Sequence, residues 1–308
     1  MVFFSIIIPL YNKRNFIKQT IQSVLNQNFT DFEILIINDG STDKSELEVI
    51  KFKDSRIRLL NQNNQGVAAA RNEGLKVAIG NYICFLDADD LWKPDFLETF
   101  RKYSTLLPNQ NVFSCRFEIE TSHKTFIPKY SIKKTNDFEI VNYFSASFKE
   151  SVLWTSSAAF KKSVFDEVGI FDAGLKCSED TDLWIRIGLK YDVVFIWQIV
   201  SRYCFDSKSI SRNLNYGLEN RTYNKYKYLE QTNSDLKKFL DLNRYSQAIK
   251  YKILNNKKDF ELYKTAITLK NLSIKKQIIL FLPAFLLKIL VQLKNNLTNL
   301  GFGNAVFK

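Results

Sequence analysis

The chain has little of what builds metal cages or covalent staples. It carries one histidine, His123, one methionine and four cysteines in 308 residues. Cys84, Cys115, Cys177 and Cys204 stand far apart with no CxxC pair. That spacing suggests neither a zinc site nor a disulfide framework, and the expected compartment is the reducing cytoplasm. No P-loop GxxxxGK[ST] and no GxGxxG fingerprint occurs, so the common glycine-rich phosphate cradles are missing. The first residues, MVFFSIIIPLYN, have no basic segment ahead of a strand-like run, which argues against a cleaved signal peptide. Acidic residues are scarce at one end: residues 201–308 hold 20 Lys/Arg against 7 Asp/Glu, whereas residues 1–200 hold 24 against 25. A one-ended basic excess points to an anionic partner, nucleic acid or a phospholipid surface.

What is present is an ordinary globular composition, 45% hydrophobic, and a repeating pattern. Phe3–Ile8 and Phe32–Ile37 are apolar runs stopped by Pro9 and by NDGSTD, and both read as buried parallel strands. Between them Phe16, Ile17, Ile21, Val24 and Leu25 recur at helical spacing. The alternation continues with a helix over Ser45–Lys53, a strand over Ile57–Leu60, an Ala-rich helix over Gly66–Ile79 and a strand over Tyr82–Leu86. Such a βαβ series predicts an α/β fold, a mostly parallel sheet with helices on both faces. Ligands bind such sheets outside the carboxyl ends of the strands. Residues 9–12, 39–43 and 87–90 all lie at such ends, so three loops are expected to meet at one crevice. Farther along, the spacing predicts a helix over Asp95–Leu106, a strand over Val152–Phe160, a short helix over Lys161–Val168 and a helix over Thr181–Leu189.

The stretch FLDADDLWKPDFL sets Asp87, Asp89 and Asp90 at a strand end. Three close carboxylates repel unless a cation or hydrogen bonds compensate, and oxygen ligands suit Mg²⁺ or Mn²⁺. Those ions take one or two protein carboxylates and complete their shell with water and phosphate, so the implied substrate carries a diphosphate. An EF-hand loop would need an acid or amide at Leu91, and an aspartyl-phosphate phosphatase a threonine there. Trp92 and Trp154 are candidates for stacking on sugar rings, with core packing as the competing role.

SIIIPLYN, INDGSTD, GVAAARNEG, FLDADD and SEDTDLWIR, in this order and spacing, resemble the family 2 glycosyltransferases of the nucleotide-sugar-binding GT-A fold. The likeness covers residues 3–212. It implies that Pro9, Tyr11 and Asn12 line the nucleobase, that Asp39 accepts from the uracil imide, and that Arg71 contacts or orients the nucleotide. It places Asp87 toward the ribose, Asp89 on the metal and Asp90 in support. The pair Glu179–Asp180 corresponds to the family's ED motif, with Asp180 as general base on the acceptor hydroxyl; Asp182 reads as a helix-start residue. Where many relatives carry a histidine, this chain has Asp206, a possible metal ligand. An ionised carboxylate cannot donate to phosphate, so that task would pass to Lys208, Ser211 or Arg212. The implied donor is a UDP-linked hexose and the acceptor a glycan or lipid-linked sugar, with inversion at the anomeric carbon.

The expected organisation is a GT-A domain over 1–212, its nucleotide-binding half 1–105 and its acceptor half 106–212, followed by a basic helical region over 213–308. Ile278–Val291 is apolar apart from Lys288 and is shorter than the roughly 20 residues a spanning helix needs. With Lys275 and Lys276 before it, a helix near 275–295 fits the headgroup region of an anionic leaflet, and peripheral attachment to the inner face of the plasma membrane is the expected location. The same apolar run argues against nucleic acid as the anionic partner. A nucleotidyltransferase, or a non-catalytic nucleotide- or glycan-binding protein, is the competing reading; PLYNKRNF is not the Gly/Arg/Lys-rich phosphate loop the former would show.

Overall fold

The computed structural model describes residues 2–121, 124–204 and 223–299. Strands Phe4–Leu10 (β1), Phe32–Asp39 (β2), Ile57–Gln62 (β3) and Tyr82–Phe85 (β4) alternate with helices Ile17–Leu25 (α1), Ser45–Val49 (α2) and Val67–Val77 (α3). There follow Leu91–Trp92 (β5), Phe96–Leu106 (α4), Val112–Glu120 (β6), Thr125–Phe126 (β7), Phe138–Val141 (β8) and Tyr143–Ala146 (α5). Ala158–Lys161 (β9), Ser163–Val168 (α6), Glu179–Gly188 (α7) and Val193–Cys204 (β10) complete the sheet and its cover. The strands form one ten-stranded sheet in the order β3-β2-β1-β4-β9-β6-β10-β5, with β7 on β6 and β8 on β10. Strands β3, β2, β1 and β4 are parallel, and β9 runs antiparallel between β4 and β6.

The unbroken apolar runs of β1 and β2 follow from burial on both faces. Ile6 and Ile8 enter one core with Ile17, Ile21 and Val24 of α1 and Phe96, Leu97 and Phe100 of α4. Ile7 points the other way, into a core with Ala70 and Leu75 of α3 and Leu183 and Trp184 of α7. Helix α3 comes so near β1 that a Cβ on Gly74 would lie 2.4 Å from Ile7 Cγ2.

The strand expected over Val152–Phe160 is shorter and later. Thr155–Ser157 forms a 3-10 turn before β9 begins at Ala158, where Ser157 Oγ donates to the Trp154 carbonyl and Ser156 Oγ bonds away from the strand instead of the backbone extending. Ser156 thereby reaches Asp90, its hydroxyl donating at 2.7 Å.

Helices Leu229–Thr232 (α8), Ser234–Ile253 (α9), Lys257–Thr265 (α10), Ile274–Phe281 (α11) and Ala284–Asn299 (α12) make up the basic C-terminal region. The boundary expected near 212 lies outside the described residues. Leu236, Phe239 and Leu240 of α9 join the main core, with Phe239 packed on Tyr143 and Phe144 at 5.3 and 5.7 Å between ring centroids. Farther on, Tyr245, Ala248 and Tyr251 gather Phe260, Tyr263 and Leu280 into a small core of their own. The single helix expected near 275–295 is two: Leu282, ahead of Pro283, is extended (φ −59°, ψ 144°), as steric clash with a following proline ring demands. No helix among the described residues is long and apolar enough to cross a membrane.

Candidate active site

The strand-end loops meet the start of α7 around a cavity of about 650 Å³. Its walls include Pro9 near the end of β1 with Tyr11 and Lys13 just beyond it, Asp39 at the end of β2, Gly66 capping α3 and Arg71 in its second turn. Asp87 and Asp89 beyond β4, Lys176 to Thr181 leading into α7, and Lys250 of α9 close it. The crevice expected at the carboxyl ends of the parallel strands is therefore real, and α7 supplies its other side.

Asp39 is 2% exposed and nearly saturated. Its Oδ1 accepts from Gln62 Nε2 at 2.7 Å and from the Gln65 N–H at 2.8 Å, and its Oδ2 from the Gly66 N–H at 2.8 Å. Gly66 can turn its N–H there because its φ of +91° suits glycine and few other residues. A carboxylate offers about four lone-pair sites, so one remains on Asp39 for a ligand N–H.

Arg71, 4% exposed, joins two loops that are distant in sequence. Nη2 donates to Asp87 Oδ1 and Nη1 to Glu179 Oε1, each at 2.8 Å. Its guanidinium lies 5.2 Å from the centre of the Phe171 ring. Burial opposes its charge, yet Asp87 and Glu179 together push its pKa up. Glu179 fares differently: burial and then the charge of Asp180 push its carboxyl up despite Arg71. The guanidinium is shared between two acids, whereas Glu179 also bears a like charge beside it. Ser178 holds a left-handed conformation (φ 58°) at the helix start. From there Glu179 turns inward, and Asp180 is left partly exposed in the cavity wall. Its Oδ1 accepts from the Thr181 N–H at 2.5 Å.

The DADD carboxylates have separate partners. Asp89 pairs with Lys13, and burial still pushes its carboxyl up. Asp90 is fully buried, accepting from Ser156 Oγ and, at 3.1 Å, from the Cys204 N–H. Burial, then the charges of Asp89 and Asp87, pushes the Asp90 carboxyl well above the ordinary range. A carboxyl raised on folding stabilises the native state fully below its unfolded pKa near 3.8 and loses that contribution as pH rises through the raised value. Asp90→Asn should therefore gain on the parent in thermal midpoint as pH goes from about 5 to 8 in chelating buffer. An offset unchanged with pH would show that Asp90 titrates alike in both states.

Among the described residues no three His, Cys, Asp or Glu side chains gather as a metal cage. Mg²⁺ or Mn²⁺ needs no such cage when phosphate supplies ligands. Asp89 lines the cavity, and one carboxylate completed by donor phosphates suits such an ion, whereas Asp87 is held by Arg71.

Other expected residues are placed elsewhere. Asn12 is outside the cavity lining and braces the neighbouring loop, accepting from the Thr42 N–H at 2.8 Å. Trp92 is a core residue, stacked on Phe96 at 3.8 Å, its indole N–H donating to the Ser156 carbonyl. Trp154 packs on Phe117 at 4.4 Å, away from the cavity lining. Asp182 is no mere helix-start residue: it bonds Arg186, Lys225 and the Tyr226 hydroxyl, tying α7 to the C-terminal region. Asp206, Lys208, Ser211, Arg212 and His123 lie outside the described residues. Lys13, Lys176 and Lys250 were not foreseen. Only Lys13 had a signal, its place directly after PLYN.

The family profile described as Glycosyl transferase family 2 matches residues 5–169, more than half of the chain. The chain belongs to glycosyl transferase family 2. It is 39% identical over 190 residues to an uncharacterized glycosyltransferase of Rickettsia felis, spanning 61% of this chain and 31% of that one. It is 44% identical over 110 residues to WfgD of Escherichia coli, a UDP-Glc:alpha-D-GlcNAc-diphosphoundecaprenol beta-1,3-glucosyltransferase, covering 35% and 43%. The chain thus spans less than half the length of either relative. Among solved structures, TarS residues 1–349 of S. aureus in complex with UDP superposes with a TM-score of 0.59 at 17% identity, over 90% of this chain and 77% of that one. This confirms the GT-A fold of the family 2 enzymes.

Proposed function

We propose that the chain is an inverting, divalent-metal-assisted glycosyltransferase. It moves a hexose from a nucleoside diphosphate donor, UDP first among the nucleotides, to a hydroxyl of a growing bacterial glycan of capsule or O-antigen type carried on a polyprenyl diphosphate. The observation that carries this reading is the Arg71 bridge: it occupies Asp87 and Glu179 and leaves Asp180 in the wall of the cavity that also holds Asp39 and Asp89. The name of the E. coli relative, which pairs a UDP-sugar with a diphosphoundecaprenol acceptor, supports the choice of substrates.

In this reading Tyr11 covers the base and Asp39 takes its ring N–H on the remaining lone pair. Arg71 fixes Asp87 toward the ribose. A divalent ion held by Asp89 and the donor phosphates would stabilise the charge of the departing nucleoside diphosphate. Asp180 accepts the proton of the acceptor hydroxyl as that oxygen attacks the anomeric carbon. Base and leaving group lie on opposite faces of the sugar, so one displacement inverts the centre.

Thermal unfolding against UDP, GDP, CDP and dTDP, with and without Mn²⁺, tests the donor. A ligand at about 100 times its Kd adds about 2.7 kcal/mol of stability, a readily measured rise in midpoint. UDP should give it, and only with metal. A rise without metal would remove the ion from the mechanism, and no rise with any nucleotide would favour a binding protein.

Ile278, Phe281 and Phe285 are 59%, 57% and 62% exposed on α11 and α12, beside Lys275 and Lys288. An apolar surface rimmed by lysine suits the headgroup region of an anionic leaflet. Phe281→Glu with Phe285→Glu should abolish sedimentation with phosphatidylglycerol-rich vesicles and leave UDP binding intact; unchanged sedimentation would remove the lipid role.

A further inference from the structure

The Lys13–Asp89 ion pair stands where the proposed chemistry needs an open carboxylate. Lys13 is held by its backbone, the N–H donating to Ser45 Oγ at 2.9 Å, while its ammonium reaches across the cavity wall to a residue 76 positions away. Both side chains are largely buried, 23% and 17% exposed. An ammonium on this carboxylate oxygen and a divalent ion on the same group would bring like charges within a few ångströms in a poorly hydrated pocket, where repulsion is strong. One must give way. The lysine stem has four rotatable carbons and lines the cavity that would receive the diphosphate, so a bound donor offers the displaced ammonium a doubly charged partner.

We propose that Lys13 is an exchange cation. It holds Asp89 in the donor-free protein, releases that carboxylate when a divalent ion and a nucleoside diphosphate arrive together, and then partners the diphosphate. The inference rests on Asp89 as metal ligand and adds that Lys13 makes metal and nucleotide binding cooperative. Mn²⁺ alone must break the ion pair at full cost, and UDP offsets that cost by giving the ammonium its diphosphate. By linkage, UDP tightens Mn²⁺ and Mn²⁺ tightens UDP by the same factor.

The test is the electron paramagnetic resonance signal of free Mn²⁺, titrated with protein, with and without UDP. Lys13→Met removes the charge at similar length, and it should bind Mn²⁺ alone on the order of tenfold more tightly than the parent. UDP should then raise the Mn²⁺ affinity of the variant by a smaller factor than that of the parent. Lys13→Arg keeps the cation and should bind Mn²⁺ alone no more tightly than the parent. A folded Lys13→Met protein with unchanged or weaker affinity for Mn²⁺ alone would overturn the proposal. Should that variant not fold, the parent still decides: no change in its Mn²⁺ affinity on adding UDP rules out the exchange. Asp89→Asn separates the two levels, because Mn²⁺ binding that survives it refutes the metal role of Asp89 itself, whatever Lys13 does.

Discussion

Asp180→Asn should lower transfer by about 10²–10⁴-fold while the UDP-dependent rise in thermal midpoint stays as in the parent. The first turn of α7 carries three acids, and the structure gives them different tasks. Glu179 is bound to Arg71 and Asp182 to Arg186, Lys225 and Tyr226. Asp180 bonds Thr181 alone among the described residues and lines the cavity. The amide keeps the shape and the local hydrogen bond but cannot take a proton. A variant that still transfers would move the base elsewhere. One that no longer binds nucleotide would make Asp180 part of the donor site.

Arg71→Met should cost about 3–5 kcal/mol of stability near neutral pH. The loss is large because the methionine leaves Glu179 and Asp87 without the cation that both were built around, and a buried charge without its partner costs more than the pair was worth. The deficit should also depend on pH in a definite direction. Glu179 already has its carboxyl pushed up by burial and by Asp180, and removing Arg71 pushes it further. A raised carboxyl stabilises the fold below its unfolded pKa and loses that contribution as pH climbs through the folded value. The gap between variant and parent in urea midpoint should therefore narrow at about pH 5 and widen at about pH 8. A deficit independent of pH would mean that lost packing on Phe171, 5.2 Å from the guanidinium, dominates over charge.

The parallel half of the sheet was legible because its signals are local. The apolar runs of β1 and β2 are buried on both faces, and PLYN, NDGSTD and DADD stop strands where the chain must turn. The loops of the crevice could thus be placed before any contact was known. Legibility fell where one residue serves two ends of the chain. Ser156 reads as part of a strand, but its hydroxyl is spent on buried Asp90, so the backbone curls. Trp92 offered a plausible sugar platform, yet the face of its ring is taken by Phe96.

By itself the sequence determined which carboxylates lie at strand ends, because a turn after an apolar run is dictated within a few residues. It also determined that the C-terminal stretch is basic and apolar together. Only the tertiary structure decided which acids at the start of α7 are tied up in ion pairs. Arg71 chooses Glu179 from 108 positions away and Lys13 chooses Asp89 from 76, while Lys250 reaches the cavity from a helix beyond the matched family region. Ion pairs form between groups that the whole fold brings within about 3 Å, and no local periodicity encodes that proximity.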